Sequence, residues 1–203
     1  MDTCEDDFNL ESLCGMTKWL SRILLKVWGF KWTGFDPETI PKKVYAVYPH
    51  TSNWDFPLGI LIKFAVPLNV NYVGKNSLFQ WPYGFIFRKL GGIPVERSKR
   101  TNFVDMLVNL YREYDVISFA IAPEGTRKKV RKFKSGFYYI AHNANVPIIF
   151  VRFDFKNRIV DFSEPFTASG DYKKDMAHII QYFRGTQGIH PELACQWEDE
   201  EVI

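Results

Sequence analysis

The chain has 203 residues, of which 46% are apolar and 24% charged, values that are ordinary for a folded globular protein. This length fits one domain with a full hydrophobic core and room for a short appendage. No stretch reaches the roughly 20 apolar residues that a membrane-spanning helix requires, and the acidic N-terminus argues against a secretory signal. We therefore expect the protein on the cytoplasmic side.

Charge is distributed unevenly along the chain. Residues 1–11 contain five acids and no Lys or Arg, and the same is true of residues 192–203. The residues between them hold 13 acids and all 26 bases, a balance of +13. A basic body favours anionic partners, which include phosphate-bearing metabolites, a membrane surface and nucleic acid. The acidic ends could simply aid solubility.

The cysteines do not form a recognisable framework. Cys4, Cys14 and Cys195 are odd in number, lie far apart and lack the spacing of metal ligands. We interpret them as reduced cytosolic thiols and predict no metal site.

Residues 10–28 have the pattern of an amphipathic helix. Its apolar face comprises Leu13, Met16, Trp19, Leu20, Ile23, Leu24 and Val27, and its basic stripe comprises Lys18, Arg22 and Lys26. Such a helix lies in a membrane interface or packs on the domain core. Trp19, Trp28 and Trp32 favour the membrane, because indoles partition into the interfacial layer. We predict that residues 1–34 form a peripheral or monotopic segment on a surface with anionic lipids.

From Pro41 onward, strand-like and helix-like stretches alternate. Strands are predicted at 44–48, 69–73, 93–95, 116–122, 146–153 and 158–162. Helices are predicted at 56–66, 85–90, 101–114, 136–143 and 171–183. The alternation indicates a single α/β domain over residues 35–190, with a mixed, largely buried central sheet flanked by helices. Residues 191–203 are predicted to form an acidic C-terminal tail.

A histidine and a carboxylate follow the first predicted strand of this domain, in the hexad formed by residues 50–55. An imidazole that accepts a proton needs a partner to fix its tautomer, and Asp55 can play that part for His50 across a tight turn. Thr51, Ser52 and Asn53 are turn and helix-start residues. An alternative is that Ser52 is a nucleophile activated by His50, although no Gly-x-Ser-x-Gly elbow is present.

Three further polar stretches occur at boundaries between strands and loops, where α/β folds place their sites. Residues 91–98 pair two glycines with Arg97, which can grip a phosphate. Residues 122–127 place Glu124, Gly125, Thr126 and Arg127 after a strongly hydrophobic strand. Six of the eight residues at 127–134 are Lys or Arg, a run that is either a solvated face or an anion-recruiting surface.

In this order, the motifs resemble those of the glycerolipid acyltransferase superfamily, of the lysophosphatidic acid acyltransferase type. The matching residues are His50, Ser52 and Asp55 in the first motif; Lys75, Pro82 and Gly84 in the lead-in; Gly92 to Arg97 in the second; Glu124 to Arg127, then Phe133, Lys134 and Gly136, in the third; and Val146 to Ile148 in the fourth. The match extends over about half the chain. Pro49, Asn53, Trp54 and Glu96 depart from the commonest pattern and leave the acceptor open.

The resemblance implies transfer of a fatty acyl group from acyl-CoA or acyl-ACP (acyl carrier protein) to a hydroxyl of a lysophospholipid, such as 1-acylglycerol-3-phosphate, in phospholipid biosynthesis or remodelling. It implies that His50 deprotonates the hydroxyl while Asp55 holds the ring, without a metal or cofactor. The implied substrate-binding residues are Ser52, Asn53, Lys75, Gly92, Arg97, Glu124, Gly125, Thr126 and Arg127.

Two other functions are compatible with these residues. One is a non-catalytic phospholipid-binding protein of the same fold, and the other is an acyltransferase for a lysolipid that is not a glycerophosphate. Nucleic-acid binding through residues 127–134 is not expected, because the sequence has no recognised nucleic-acid module.

Overall fold

The computed structural model describes residues 4–95, 100–195 and 197. The α-helices in these ranges are α1 (Cys4–Trp28), α2 (Asp55–Ala65), α3 (Gly84–Lys89), α4 (Arg100–Glu113), α5 (Gly136–Ala144) and α6 (Tyr172–Phe183). The strands are β1 (Lys31–Gly34), β2 (Lys42–Tyr48), β3 (Asn71–Lys75), β4 (Gly92–Val95), β5 (Ile117–Ile121), β6 (Ile148–Asp154) and β7 (Ile159–Phe162).

These strands form one sheet in the order β1-β7-β6-β2-β5-β3-β4. Neighbouring strands are parallel, except that β6 and β7 are antiparallel. The predicted α/β class with a mixed central sheet is therefore confirmed. Because β6, β2, β5, β3 and β4 run in the same direction, the loops that follow them all emerge at the C-terminal ends of these strands, where the first motif follows β2 and the third follows β5.

The sheet is buried on both faces because alternate residues of its strands point to opposite sides. In β6, Ile148 and Phe150 pack with α4, α5 and α6, whereas Ile149 and Val151 pack with α2. Both clusters consist of side chains with almost no exposed surface, so they hold the strands in fixed positions below the site.

Strand β1 is absent from the predicted elements. Its four residues are all exposed, so it has no alternation of apolar and polar side chains that could reveal it. It pairs in parallel with β7, which is more than 120 residues away in the chain, and it is the outermost strand on that side of the sheet.

A carboxylate in β7 joins four elements at this end of the sheet. Asp161 accepts hydrogen bonds from Thr33 in β1 (2.8 Å), from the Arg152 guanidinium in β6 (2.6 Å) and from the Tyr182 hydroxyl in α6 (2.6 Å). Burial acts to raise the pKa of Asp161, but the hydrogen bonds from these three partners outweigh it and the pKa is lowered. The ionised form is thus the one that the fold stabilises.

Helix α1 packs on α2, although not through its predicted apolar face. Ser21 and Leu25 are buried against the domain, and Nε of Arg22 donates a hydrogen bond to the Ala65 carbonyl at the end of α2 (3.0 Å). From Met16 onward the predicted apolar face instead remains exposed, with Trp19 at 64% and Val27 at 81% of their full surface. No helix in the described residues has the length and hydropathy to cross a membrane.

The division into residues 1–34, 35–190 and 191–203 stays a prediction. Residues on both flanks nevertheless contact the domain: β1 belongs to the sheet, and Ala194 and Cys195 are buried in the core.

Candidate active site

The histidine and the aspartate of the hexad form a pair where β2 gives way to α2. Nδ1 of His50 lies 3.0 Å from Oδ2 of Asp55, and the same oxygen accepts the Ser52 backbone N–H at 2.9 Å. Asp55 is buried and is the first residue of α2, where the helix dipole favours a negative charge. The other oxygen, Oδ1, accepts no hydrogen bond from any residue in the described ranges.

This arrangement fixes how the imidazole can act. In the neutral ring, Nδ1–H donates to Asp55, so the lone pair for accepting a proton lies on Nε2. About a quarter of the His50 side chain is exposed, whereas Asp55 is almost fully covered. A substrate can therefore reach the base but not the carboxylate that orients it.

Ser52 lies beside this pair, but its hydroxyl has a structural contact. Oγ accepts the Trp54 backbone N–H at 3.2 Å, and within the described ranges it makes no hydrogen bond to the His50 ring. A serine nucleophile needs its base within hydrogen-bond reach. The geometry thus disfavours Ser52 as an acylated nucleophile and gives it a role in shaping the turn.

Glu124 connects the hexad, which we also call the catalytic loop, with Cys195 near the C-terminus of the described residues. Its Oε2 accepts the His50 backbone N–H, and its Oε1 accepts the Cys195 backbone N–H at 3.0 Å. The side chain is 1% exposed, and burial raises the pKa of its carboxyl while the two N–H donors partly offset this effect. Both oxygens are occupied by protein backbone, so Glu124 positions His50. A direct substrate contact by Glu124 stays a prediction.

A segment that the sequence did not mark as part of the site completes it. We call residues 187–195 the C-terminal strap. The backbone N–H of His190 donates to Oγ1 of Thr51 (3.3 Å), and the Tyr48 hydroxyl donates to the Cys195 carbonyl (2.8 Å). Gly188 lies so close to the hexad that an added Cβ would be 2.5 Å from Oγ1 of Thr51. Most of these contacts involve the backbone of the strap, so no pattern of residue types predicts them.

The third motif forms a tight turn after β5. Gly125 has φ +63°, a left-handed conformation that favours glycine, and an added Cβ would meet the side chain of Lys134 at 2.6 Å. The Gly125 N–H donates to the Ala122 carbonyl, so this amide is used inside the turn. Oγ1 of Thr126 accepts the Lys128 N–H at 3.2 Å. Gly125 and Thr126 therefore shape the turn in this structure.

Arg127 places a cation beside the catalytic loop. Its Nε donates to the Ser52 carbonyl at 3.0 Å, and the residue is otherwise exposed. This bond holds Nε of the guanidinium against the hexad. The terminal NH₂ groups of the exposed side chain are then available to an anionic ligand.

The remaining predicted site residues occupy different environments. Lys75 ends β3 and is exposed, as is Asn53 in the hexad. Gly92 is packed against protein, because an added Cβ would lie 2.7 Å from Phe79 and from the Phe87 carbonyl. Arg97 lies outside the described residues. Within the described ranges, no group of three or more His, Cys, Asp or Glu side chains could hold a metal, and the absence of a metal or cofactor stays a prediction.

Comparisons with known proteins agree with this geometry. The family model described as Acyltransferase matches residues 35–154, more than half of the chain. The 1-acyl-sn-glycerol-3-phosphate acyltransferase of Haemophilus influenzae is 29% identical over 165 residues, which is 72% of this chain and 67% of the relative. A Mycoplasma pneumoniae protein named probable 1-acyl-sn-glycerol-3-phosphate acyltransferase is 30% identical over 138 residues, which is 64% of this chain and 52% of the relative.

A solved structure shares the fold. The crystal structure of the 1-acyl-sn-glycerophosphate (LPA) acyltransferase PlsC from Thermotoga maritima superposes with a TM-score of 0.57, covering 91% of this chain and 83% of that one at 16% identity. The chain therefore belongs to the acyltransferase family and is an O-acyltransferase. The resemblance noted in the motifs is thus confirmed.

Proposed function

We propose that this protein transfers a fatty acyl group from an acyl thioester to a hydroxyl of a lysophospholipid, with 1-acylglycerol-3-phosphate as the foremost candidate acceptor. The observation that carries the proposal is the His50–Asp55 pair, 3.0 Å apart, next to the exposed cation of Arg127. The names of the Haemophilus and Mycoplasma relatives support this choice of acceptor.

The pair supports direct transfer. Nε2 of His50 removes the proton of the acceptor hydroxyl as its oxygen attacks the thioester carbonyl, and the imidazolium that results is stabilised by the Asp55 carboxylate. The tetrahedral intermediate then collapses, an ester bond replaces the carbon–sulfur bond, and the thiolate leaves. A thiol with a pKa of about 8.5 departs readily as the thiolate, so no second strong acid is needed. The imidazolium returns its proton to the thiolate or to solvent.

The acceptor phosphate is assigned to cations at the same sheet edge. Arg127, held by the Ser52 carbonyl, and Lys75, at the end of β3, lie on the same side of the hexad in the strand order. A guanidinium fixed at its base can bind a phosphate with two parallel hydrogen bonds. We keep Arg97 as a third candidate from the second motif.

We further propose that the enzyme works as a peripheral or monotopic protein on the cytoplasmic face of a membrane that contains anionic lipids. The exposed face of α1 supports this, because Trp19, Leu24 and Val27 are not covered by the domain. Lys18 and Lys26 of the same helix suit anionic headgroups, whereas Arg22 of the predicted basic stripe donates a hydrogen bond to the Ala65 carbonyl. No nucleic-acid partner is proposed.

The test is release of free thiol when purified protein is incubated with long-chain acyl-CoA and 1-acylglycerol-3-phosphate. We expect His50→Ala to lower kcat/KM by about 10²–10⁴, because a positioned base typically supplies that factor. The matched control is His142→Ala, which changes an exposed histidine on α5 that stacks on Tyr138. Absence of thiol release with every lysolipid tested, from acyl-CoA and from acyl-ACP alike, would contradict the proposal. Vesicle binding that is unaltered in His50→Ala, without turnover in either protein, would favour the non-catalytic alternative.

A further inference from the structure

A groove of about 460 Å³ lies beside the hexad on the side away from Arg127. In the strand order, β6 and β7 lie on one side of β2, and β5, β3 and β4 lie on the other. Arg127 follows β5 and Lys75 ends β3, whereas the groove is lined by the turn between β6 and β7. The volume is within the range of small-molecule sites. The catalytic loop therefore lies between two separate sets of cations.

Aromatic rings form one wall of this groove. Trp28, at the end of α1, packs edge-to-face against Trp54 of the hexad, with ring centroids 5.9 Å apart, and against Phe155 at 6.3 Å. Trp54 is 59% exposed, so a large part of its indole is available for contact. Flat aromatic surfaces of this kind stack well on nucleobases.

Cations also line the groove. Lys156 and Arg158 are exposed in the turn between β6 and β7, and the Arg158 guanidinium lies 5.4 Å from the centroid of the Phe30 ring. Asp154, the carboxylate at the start of this turn, is engaged by the side-chain amide of Asn157 at 2.7 Å. In the described part of the chain, neither cation forms an ion pair. Two cations beside two indoles match a ligand that carries phosphates and a planar base.

The groove is continuous with the catalytic loop. Trp54 belongs to the hexad, and Gly188 both lines the groove and lies against Thr51. A side chain at position 188 would close this junction, because even a Cβ there would overlap Oγ1 of Thr51. A ligand bound in the groove therefore ends next to the residues that hold His50.

From this geometry we infer that the groove binds the 3′-phosphorylated adenosine diphosphate part of coenzyme A, and that acyl-CoA is the donor. This inference rests on the proposed acyl transfer. Such a reaction brings two anionic substrates to one base, and the acceptor phosphate is already assigned to the cations on the other side of the hexad. Acyl carrier protein presents one phosphodiester and no purine, so it would leave the aromatic wall unused.

Binding is tested with coenzyme A and with adenosine 3′,5′-bisphosphate, a probe that contains the purine and two phosphates but no thiol. We expect both to bind and to quench indole fluorescence. Lys156→Ala combined with Arg158→Ala should weaken the affinity for both probes by at least tenfold. Trp54→Ala should weaken the affinity for the bisphosphate by the same factor. The control removes two exposed lysines from α6, Lys173→Ala with Lys174→Ala, and should bind as the wild type does.

Turnover separates this inference from the proposed function. We expect the Lys156 and Arg158 double variant to reduce the preference for acyl-CoA over acyl-pantetheine, a donor without the nucleotide, by about tenfold, through KM for acyl-CoA. Equal losses with the two donors would overturn the inference, as would a preference for acyl-ACP that depends on these two residues. Weakened vesicle binding with unaltered coenzyme A affinity would also overturn it. Groove-dependent binding of the bisphosphate without turnover from any donor would uphold the nucleotide site and refute the acyl transfer.

Discussion

Replacing Glu124 by alanine tests whether this residue positions His50 or binds substrate. The change removes the acceptor of two backbone N–H groups, that of His50, which is partly buried, and that of Cys195, which is buried. A buried donor left without a partner costs about 1–3 kcal/mol, so the free energy of unfolding should fall by about 2–6 kcal/mol. For a chain of this size each kcal/mol lowers Tm by roughly 2–4 °C, and a loss of about 4 kcal/mol therefore lowers Tm by roughly 8–16 °C.

The assay combines thermal unfolding with steady-state kinetics at a temperature where both proteins are folded. Alanine at position 124 no longer holds the His50 backbone in place. We therefore expect Glu124→Ala to act mainly on kcat, with little change in KM for the acceptor. Glu124→Gln should have an intermediate effect, since its carbonyl oxygen can accept one N–H while its amide group faces the other donor. Glu164→Ala, an exposed carboxylate at the end of β7, serves as the control and should leave Tm and kcat near the wild-type values.

Two results would refute this reasoning. A Tm within about 2 °C of the wild type would mean that the two N–H groups find other partners without cost. A loss confined to KM for the lysolipid would show that Glu124 contacts substrate, as the family resemblance first suggested.

Further predictions concern the base, the turn, the sheet and the helix. Asp55→Asn should lower kcat by about 10²–10⁴ because the amide no longer stabilises the imidazolium. Ser52→Ala should keep more than a tenth of the activity, and an acyl-enzyme detected by intact mass would contradict this. Asp161→Asn should lower the free energy of unfolding by about 1–2 kcal/mol at pH 7. The Asp161 pKa is lowered in the fold, so the wild type loses this stabilisation as pH falls below 3.8 and the gap in urea unfolding should close there. Val27→Glu should weaken binding to anionic vesicles about tenfold while thermal unfolding stays unchanged.

The parts of the fold that were predictable are those in which side-chain pattern and environment agree. β2, β5 and β6 are nearly continuous apolar runs because both faces of the sheet are covered, and each was predicted within a few residues of its observed bounds. β1 was not predicted, because its exposed residues are held by backbone pairing and by Asp161.

In the candidate site, too, contacts between side chains were predictable and contacts through the backbone were not. The pairing of His50 with Asp55 was predictable because five positions and a tight turn bring the two side chains together. The roles of Cys195 and His190 were not, since each contacts the site through its backbone N–H, which every residue but proline possesses. Helix α1 is intermediate: a helix was predicted over residues 10–28 and is found at Cys4–Trp28, yet Leu25, which is buried against the domain, lies off the predicted apolar face.

The C-terminal strap has a consequence for the timing of activity during synthesis. Cys195, whose carbonyl accepts the Tyr48 hydroxyl, is 147 positions further along the chain than Tyr48. At about 5–20 residues per second, a ribosome needs roughly 7–30 s to cover that distance. During this interval His50 and Asp55 exist in the nascent chain, but the strap that supports their loop has not been made. The loop that carries His50 and Asp55 therefore acquires its contacts with the strap only after residues 187–195 have been synthesised.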